Sequence, residues 1–173
     1  MTTIETLLKE LEEEAVTTRK MLACVPNDKY DWQPHPKSMT IRRLVTHIAD
    51  IPSWLEIGIH DDGLNFATTT HKEPVINNTD ELLKFQDESV AKGKAALESA
   101  NEEQLSEQWT LRNGDYIISV RPKSEVIRMS YCQIVHHRAQ LGVFLRLLDV
   151  PIPGSYGPSA DEMSFVAEAA EAN

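Results

Sequence analysis

Apolar residues recur along this chain at the three-four spacing of helix faces. In residues 4–25 the stripe is Ile4, Leu8, Leu11, Ala15, Thr18, Leu22 and Val25, with glutamates on the opposite face. This spacing predicts an amphipathic helix packed on other helices. Pro34, His35 and Pro36 exclude regular helix, so residues 30–39 read as an extended loop. Thr40 can cap a second helix over 41–59, with Ile41, Leu44, Ile48, Ile51, Leu55 and Ile59 facing inward. Pro52 lies inside that stretch, where it should free the carbonyl of Ile48 and bend the chain.

Residues 61–78 carry Gly63, Pro74 and Asn77-Asn78, and read as a long connection. A third helix is predicted over 79–100, capped by Thr79, with a weak stripe of Leu82, Phe85, Ser89, Gly93, Ala96 and Ala100. Asn113-Gly114 between β-prone residues predicts a small two-stranded hairpin. The last long helix runs from near Lys123 to near Leu148, with Ile127, Ser130, Ile134, His137, Leu141, Leu145 and Leu148 on one face. Pro151 ends it, and the Pro/Gly-rich segment that follows resembles a pocket rim. A short terminal helix over 159–170 is also predicted. The expected class is all-α: a four-helix bundle with a long crossover and a small β-hairpin before the last long helix.

Composition narrows the function more than the fold. The 173 residues suit a single domain, 1–173, able to bury a sizeable core. Net charge is −10, which argues against nucleic acid and anionic membrane as partners. No apolar run approaches a membrane span, and the acidic amphipathic N-terminus is unlike a secretory signal. Two cysteines, Cys24 and Cys132, are too few for a disulfide framework. A cytoplasmic, reduced protein is the expectation.

The candidate chemistry lies in the interruptions of the apolar stripes. His137 sits within the last stripe, and Gln133 precedes it by one turn on the same side. His47 flanks the second stripe beside Leu44, Ile51 and Trp54. A buried neutral imidazole requires hydrogen-bond partners or a metal. Two donors at i and i+4 plus one from a neighbouring helix make a three-point cradle for a metal. A lone inward histidine is more often a satisfied core residue; two from different helices shift that balance. His136 reads as a supporting or surface residue, sharing a face with Cys132 and Gln140. Arg138 and Arg146 suit carboxylates or helix ends. His35, His60 and His71 fall in or near loops without a partner spacing. Trp54 and Tyr156 suit a pocket mouth or plain packing.

Three stretches carry a resemblance. They are Thr46-His-Ile-Ala-Asp-Ile-Pro-Ser-Trp54, His136-His137-Arg-Ala-Gln-Leu141, and the run from Leu145 to Asp161 ending Pro-Gly-Ser-Tyr-Gly-Pro-Ser-Ala-Asp. Together they resemble the DinB/YfiT-like family of metalloenzymes. The resemblance implies a four-helix bundle, commonly a homodimer, holding a divalent metal such as zinc or nickel on three histidines. His47 and His137 match two of those positions. At the third, where the family usually has histidine, this chain has Gln133, a neutral and weaker ligand.

Members of the wider family work with a low-molecular-weight thiol such as bacillithiol or mycothiol. The resemblance therefore implies a metal-dependent thiol S-transferase or related enzyme. No residue stands out as a general base. The alternative is a non-catalytic bundle with a degenerate metal site, serving as a small-molecule binder or dimeric interaction protein.

Overall fold

The computed structural model describes residues 1–70 and 74–162. Helix α1 spans Thr3–Leu22 and opens on a reciprocal cap, in which Thr2 accepts from the Glu5 amide and Glu5 reaches back to the Thr2 amide. Helix α2, Ile41–Asp50, starts at Thr40, whose hydroxyl accepts from the Arg43 amide as its sequence position suggests. At Pro52 the α-helix gives way to a single 3₁₀ turn, Ile51–Ser53, and then restarts as α3, Trp54–His60. The predicted bend is therefore a full change of helix type. Ser53 Oγ donates to the Asp50 carbonyl at 2.8 Å and so supports this break in the ladder.

Helix α4 spans Thr79–Ser99 and α5 spans Lys123–Leu147. The cap of α4 is Asn78, whose side chain accepts from the Glu81 amide, and not Thr79 as expected. The Thr79 hydroxyl is committed elsewhere: it donates at 2.7 Å to the Val25 carbonyl, just beyond the end of α1. The small residues of α4 serve close packing. An ideal Cβ on Gly93 would fall 2.3 Å from the Pro52 carbonyl oxygen, so glycine lets α4 seat against the 3₁₀ turn.

The all-α expectation needs correction, because the chain is mostly helical but carries a three-stranded sheet. Strands β2, Gln108–Asn113, and β3, Tyr116–Pro122, form the predicted antiparallel hairpin. A third strand, β1, Gly63–Asn65, comes from the long connection and pairs parallel to β2. Three residues are too short for an alternating pattern, so the sequence gives no strand signal there. Tertiary contacts hold β1 in place. Gly63 lies against the Thr110 carbonyl where a Cβ would be at 2.2 Å, and the Asn65 side chain accepts from the Gly114 amide at 2.9 Å.

Helix α1 packs on α4 and α5, and α2 and α3 pack on those same two helices. The buried apolar residues form two clusters. One holds Leu22, Ile41, Leu44, Ile48, Leu82, Leu141 and Leu145. The other holds Leu11, Ile51, Leu55, Leu97, Ile127, Tyr131 and Ile134. Buried polar residues fall between them along the helices: Glu14 and Thr18 on α1, Gln86 and Ser89 on α4, His137 and Arg138 on α5. This middle layer holds the candidate residue His137.

The Pro/Gly-rich segment after α5 folds back along it. Arg146 pairs with Asp161 at 2.6 Å, and Glu162 accepts from the Gly154 and Ser159 amides. Residues 159–162 form a turn; the rest of the predicted terminal helix lies outside the described residues. Among the described residues no helix is long and apolar enough to cross a membrane.

Candidate functional site

The middle layer brings two of the three expected ligands together. The imidazoles of His47, from α2, and His137, from α5, have ring centroids 4.7 Å apart and stand nearly edge-to-face at 78°. His137 is buried at 8% exposure, while His47 is half-buried. The third expected ligand, Gln133, is half-buried one turn before His137, and its side chain has no hydrogen-bond partner among the described residues.

Each ring is oriented by neighbours. The Pro52 break turns Trp54 against His47, with ring centroids 5.2 Å apart. Trp54 Nε1 in turn donates to Asp50 Oδ2 at 2.9 Å, and Ser53 Oγ lies 3.2 Å from Asp50 Oδ1. On α5, Gln140 Oε1 lies 3.0 Å from His137 Nδ1. The Gln140 amide nitrogen lies 3.1 Å from Nε2 of the exposed His136, whose ring is 4.8 Å from that of His137. A carbonyl oxygen only accepts, so this contact calls for the His137 proton on Nδ1.

Asp50 and Gln140 are the two site residues that sequence reasoning missed. Both signals were present. Asp50 follows His47 by three positions inside the quoted helical stretch, and Gln140 follows His137 by three and His136 by four.

Two imidazoles that share one ion through nitrogens at about 2.0–2.1 Å have ring centres on the order of 5 Å apart. The observed 4.7 Å meets that condition. An imidazole pair with one Nδ1 proton held by a carbonyl is also the pattern of ligating histidines. Among the described residues, however, no three His, Cys, Asp or Glu side chains converge as a ligand set. The residues therefore fit a divalent ion as two imidazoles, and the place one turn before His137 holds a neutral amide, Gln133, in place of a stronger ligand.

The adjacent residue, Arg138, faces a different helix. It is 2% exposed, and its Nη1 donates to Glu14 Oε2 at 2.5 Å and to Thr18 Oγ1 at 3.0 Å. Its Nη2 donates to the Tyr156 hydroxyl at 2.7 Å, and that hydroxyl donates to Glu14 Oε1 at 2.6 Å. Burial and the Glu14 contact hold the Tyr156 phenol above its usual range. Arg138 and Arg146 thus bind carboxylates, as their setting suggests. The Pro/Gly rim borders this side of α5: a cavity of about 450 Å³ lies between Arg138, Gly142, Leu147 and residues 152–159. A second cavity, about 580 Å³, lies at the sheet beside Asp62, Asn65 and Arg112. Neither contains His47 or His137. Trp54 belongs to the imidazole site and Tyr156 does not.

The other candidates stay apart. His35 Nδ1 accepts from the Lys37 amide, and His60 lies beside Ser99. His71 lies outside the described residues. Cys24 donates to the Lys20 carbonyl, and burial pushes its thiol up, away from reactivity.

A mostly helical frame with a small sheet and an interhelical imidazole pair defines the class of this protein. The chain belongs to the DinB family, whose family model matches residues 1–171. It is similar to the uncharacterized protein YrdA of Bacillus subtilis (strain 168), with 24% identity over 162 residues covering 92% of each chain. Among solved structures it resembles a DinB-like protein from Bacillus cereus ATCC 10987, with TM-score 0.69 and 23% identity over 88% of this chain and 97% of that one. It also resembles a mycothiol-dependent maleylpyruvate isomerase, with TM-score 0.58 and 20% identity over 82% of this chain and 64% of that one. At these identities the structural likeness speaks for the fold alone.

Proposed function

We propose that this chain is a metal-dependent enzyme acting with a low-molecular-weight thiol, in the manner of an S-transferase. His47 and His137 are its imidazole ligands and Gln133 a weak third, for zinc or nickel. The working frame is a four-helix bundle with a crossover, one domain over residues 1–173, assembled as a cytoplasmic homodimer. The observation that carries the reading is the meeting of two imidazoles from separate helices at 4.7 Å. The thiol-dependent isomerase among its structural neighbours adds support.

A divalent ion held here supplies the positive charge that keeps a thiol deprotonated at neutral pH. His137 offers the bare Nε2, because its Nδ1 proton is held by Gln140. Trp54 covers one flank of His47 and limits water there.

The test is metal analysis of untagged protein purified without chelator, followed by thiol-conjugation assays. Full occupancy that is lost in His137→Ala, together with thiol-dependent turnover, is expected. Wild-type protein that takes up neither zinc nor nickel overturns the reading.

A second reading is a non-catalytic binder or dimeric interaction protein with a degenerate site. The lack of a third His, Cys, Asp or Glu ligand among the described residues favours it. Under that reading occupancy is partial and rises to full in Gln133→His, with no thiol turnover in the wild type.

A further inference from the structure

We propose that Gln140 is a positioning residue that fixes the tautomer of His137, keeping the proton on Nδ1 and the lone pair on Nε2. Its purpose rests on the reading of His137 as a metal ligand; its content rests on hydrogen bonds alone. A neutral imidazole exchanges its proton between two nitrogens, and a ligand is useful only when the coordinating nitrogen is bare. Gln140 Oε1 at 3.0 Å from His137 Nδ1 removes that freedom, because a carbonyl accepts and never donates.

The amide is itself held in this orientation. Its nitrogen donates to His136 Nε2 at 3.1 Å, so the two rings are read by opposite ends of one side chain. Flipping the amide would oblige both imidazoles to exchange tautomers together. The reach follows from helix geometry. Gln140 lies three residues after His137 and four after His136, and helical side chains lean toward the N-terminus, across both rings. His136 thereby acquires a role that exposure alone would not suggest: it is the acceptor that keeps the amide oxygen turned to His137.

The experiment is nitrogen-15 NMR of the imidazoles in metal-free protein, with His137 assigned by its loss in His137→Gln, paired with zinc titration. Wild-type His137 is expected as the Nδ1–H tautomer. In Gln140→Ala it should shift toward Nε2–H, and zinc affinity should fall roughly 10–100-fold. Gln140→Glu keeps an acceptor for Nδ1–H, so it should retain the tautomer and restore most of the affinity. Gln140 is exposed, so circular dichroism should show an unchanged fold in both variants. A wild-type His137 protonated on Nε2, or a tautomer indifferent to Gln140→Ala, overturns the proposal. The two readings fail separately. Protein that binds no zinc, yet shows the tautomer change, refutes the metal site and upholds the role of Gln140.

Discussion

His137 and Arg138 are neighbours in sequence and opposites in circumstance. Arg138 faces α1, where Glu14, Thr18 and Tyr156 close around it with every contact charge-assisted or shared. His137 faces α2 and the His47 ring, with Gln140 Oε1 at its Nδ1. The first cluster is internally complete, which is what a structural network needs. The second brings two imidazoles from different helices together, which is what the proposed metal site needs. One turn of α5 therefore carries both the staple of the fold and its candidate chemistry, on faces about 100° apart.

This contrast can be broken by substitution. Arg138→Met leaves the buried Glu14 carboxylate without its positive partner, and should cost about 3–5 kcal/mol in urea unfolding. Adding Glu14→Leu should recover most of that loss. A single-variant cost below about 1 kcal/mol would mean that the network is not closed as described.

Gly93→Ala tests the packing that sets the His47 side. Its Cβ would be driven into the Pro52 carbonyl, so a loss of about 1–3 kcal/mol is expected. The same variant should weaken metal uptake, because Pro52 positions Trp54 beside His47. Loss of stability with unchanged uptake would separate the hinge from the site.

Tyr156→Phe removes one hydroxyl from the Arg138 network. The ring is 71% exposed, so a cost of only about 1 kcal/mol is expected by chemical denaturation. His47→Gln probes the other face: stability should stay within about 1 kcal/mol while bound zinc or nickel is lost. A large destabilisation without metal loss would make His47 a core residue and nothing more.

The smallest effect concerns pH. The Arg146 guanidinium, then the Ile152 amide, hold the Asp161 carboxyl below the usual carboxylate range. A depressed folded-state pKa means that the anchoring is fully present above the ordinary aspartate range. It is lost as pH falls through the lower folded value. The Ile152 amide resonance should follow that acid step, and Asp161→Asn should abolish it, with little change at the imidazole pair.

Much of this was legible from local pattern. The three-four periodicity located the helices, Pro52 located the break between α2 and α3, and Asn113-Gly114 located the hairpin. His47 and His137 stood out because the first flanks an apolar stripe and the second lies within one. The Arg146 and Arg138 pairings with carboxylates followed from charge in a buried or helix-end setting. The sheet was read one strand short, since β1 is three residues long and depends on Gly63 and Asn65 meeting β2. The Pro/Gly rim was read as a pocket edge, but the sequence could not say on which side of α5 it would lie.

The amino-acid order alone determined the inward stripes of residues 41–59 and of α5 through their 3.6-residue period. On α1 the buried residues include Leu7, Glu14 and Met21 in place of the predicted Ile4, Leu8 and Ala15, and on α4 Gln86 and Leu97 in place of Phe85 and Ala100. Which inward residues meet was decided by tertiary structure. Glu14 and Arg138 lie 124 positions apart, and no local rule pairs them. His47 and His137 come within reach because α2 and α5 pack side by side, and Gly93 lets α4 seat against the turn that separates His47 from Trp54. Periodicity is short-ranged, whereas the site is made of long-range contacts that exist only once the helices have packed.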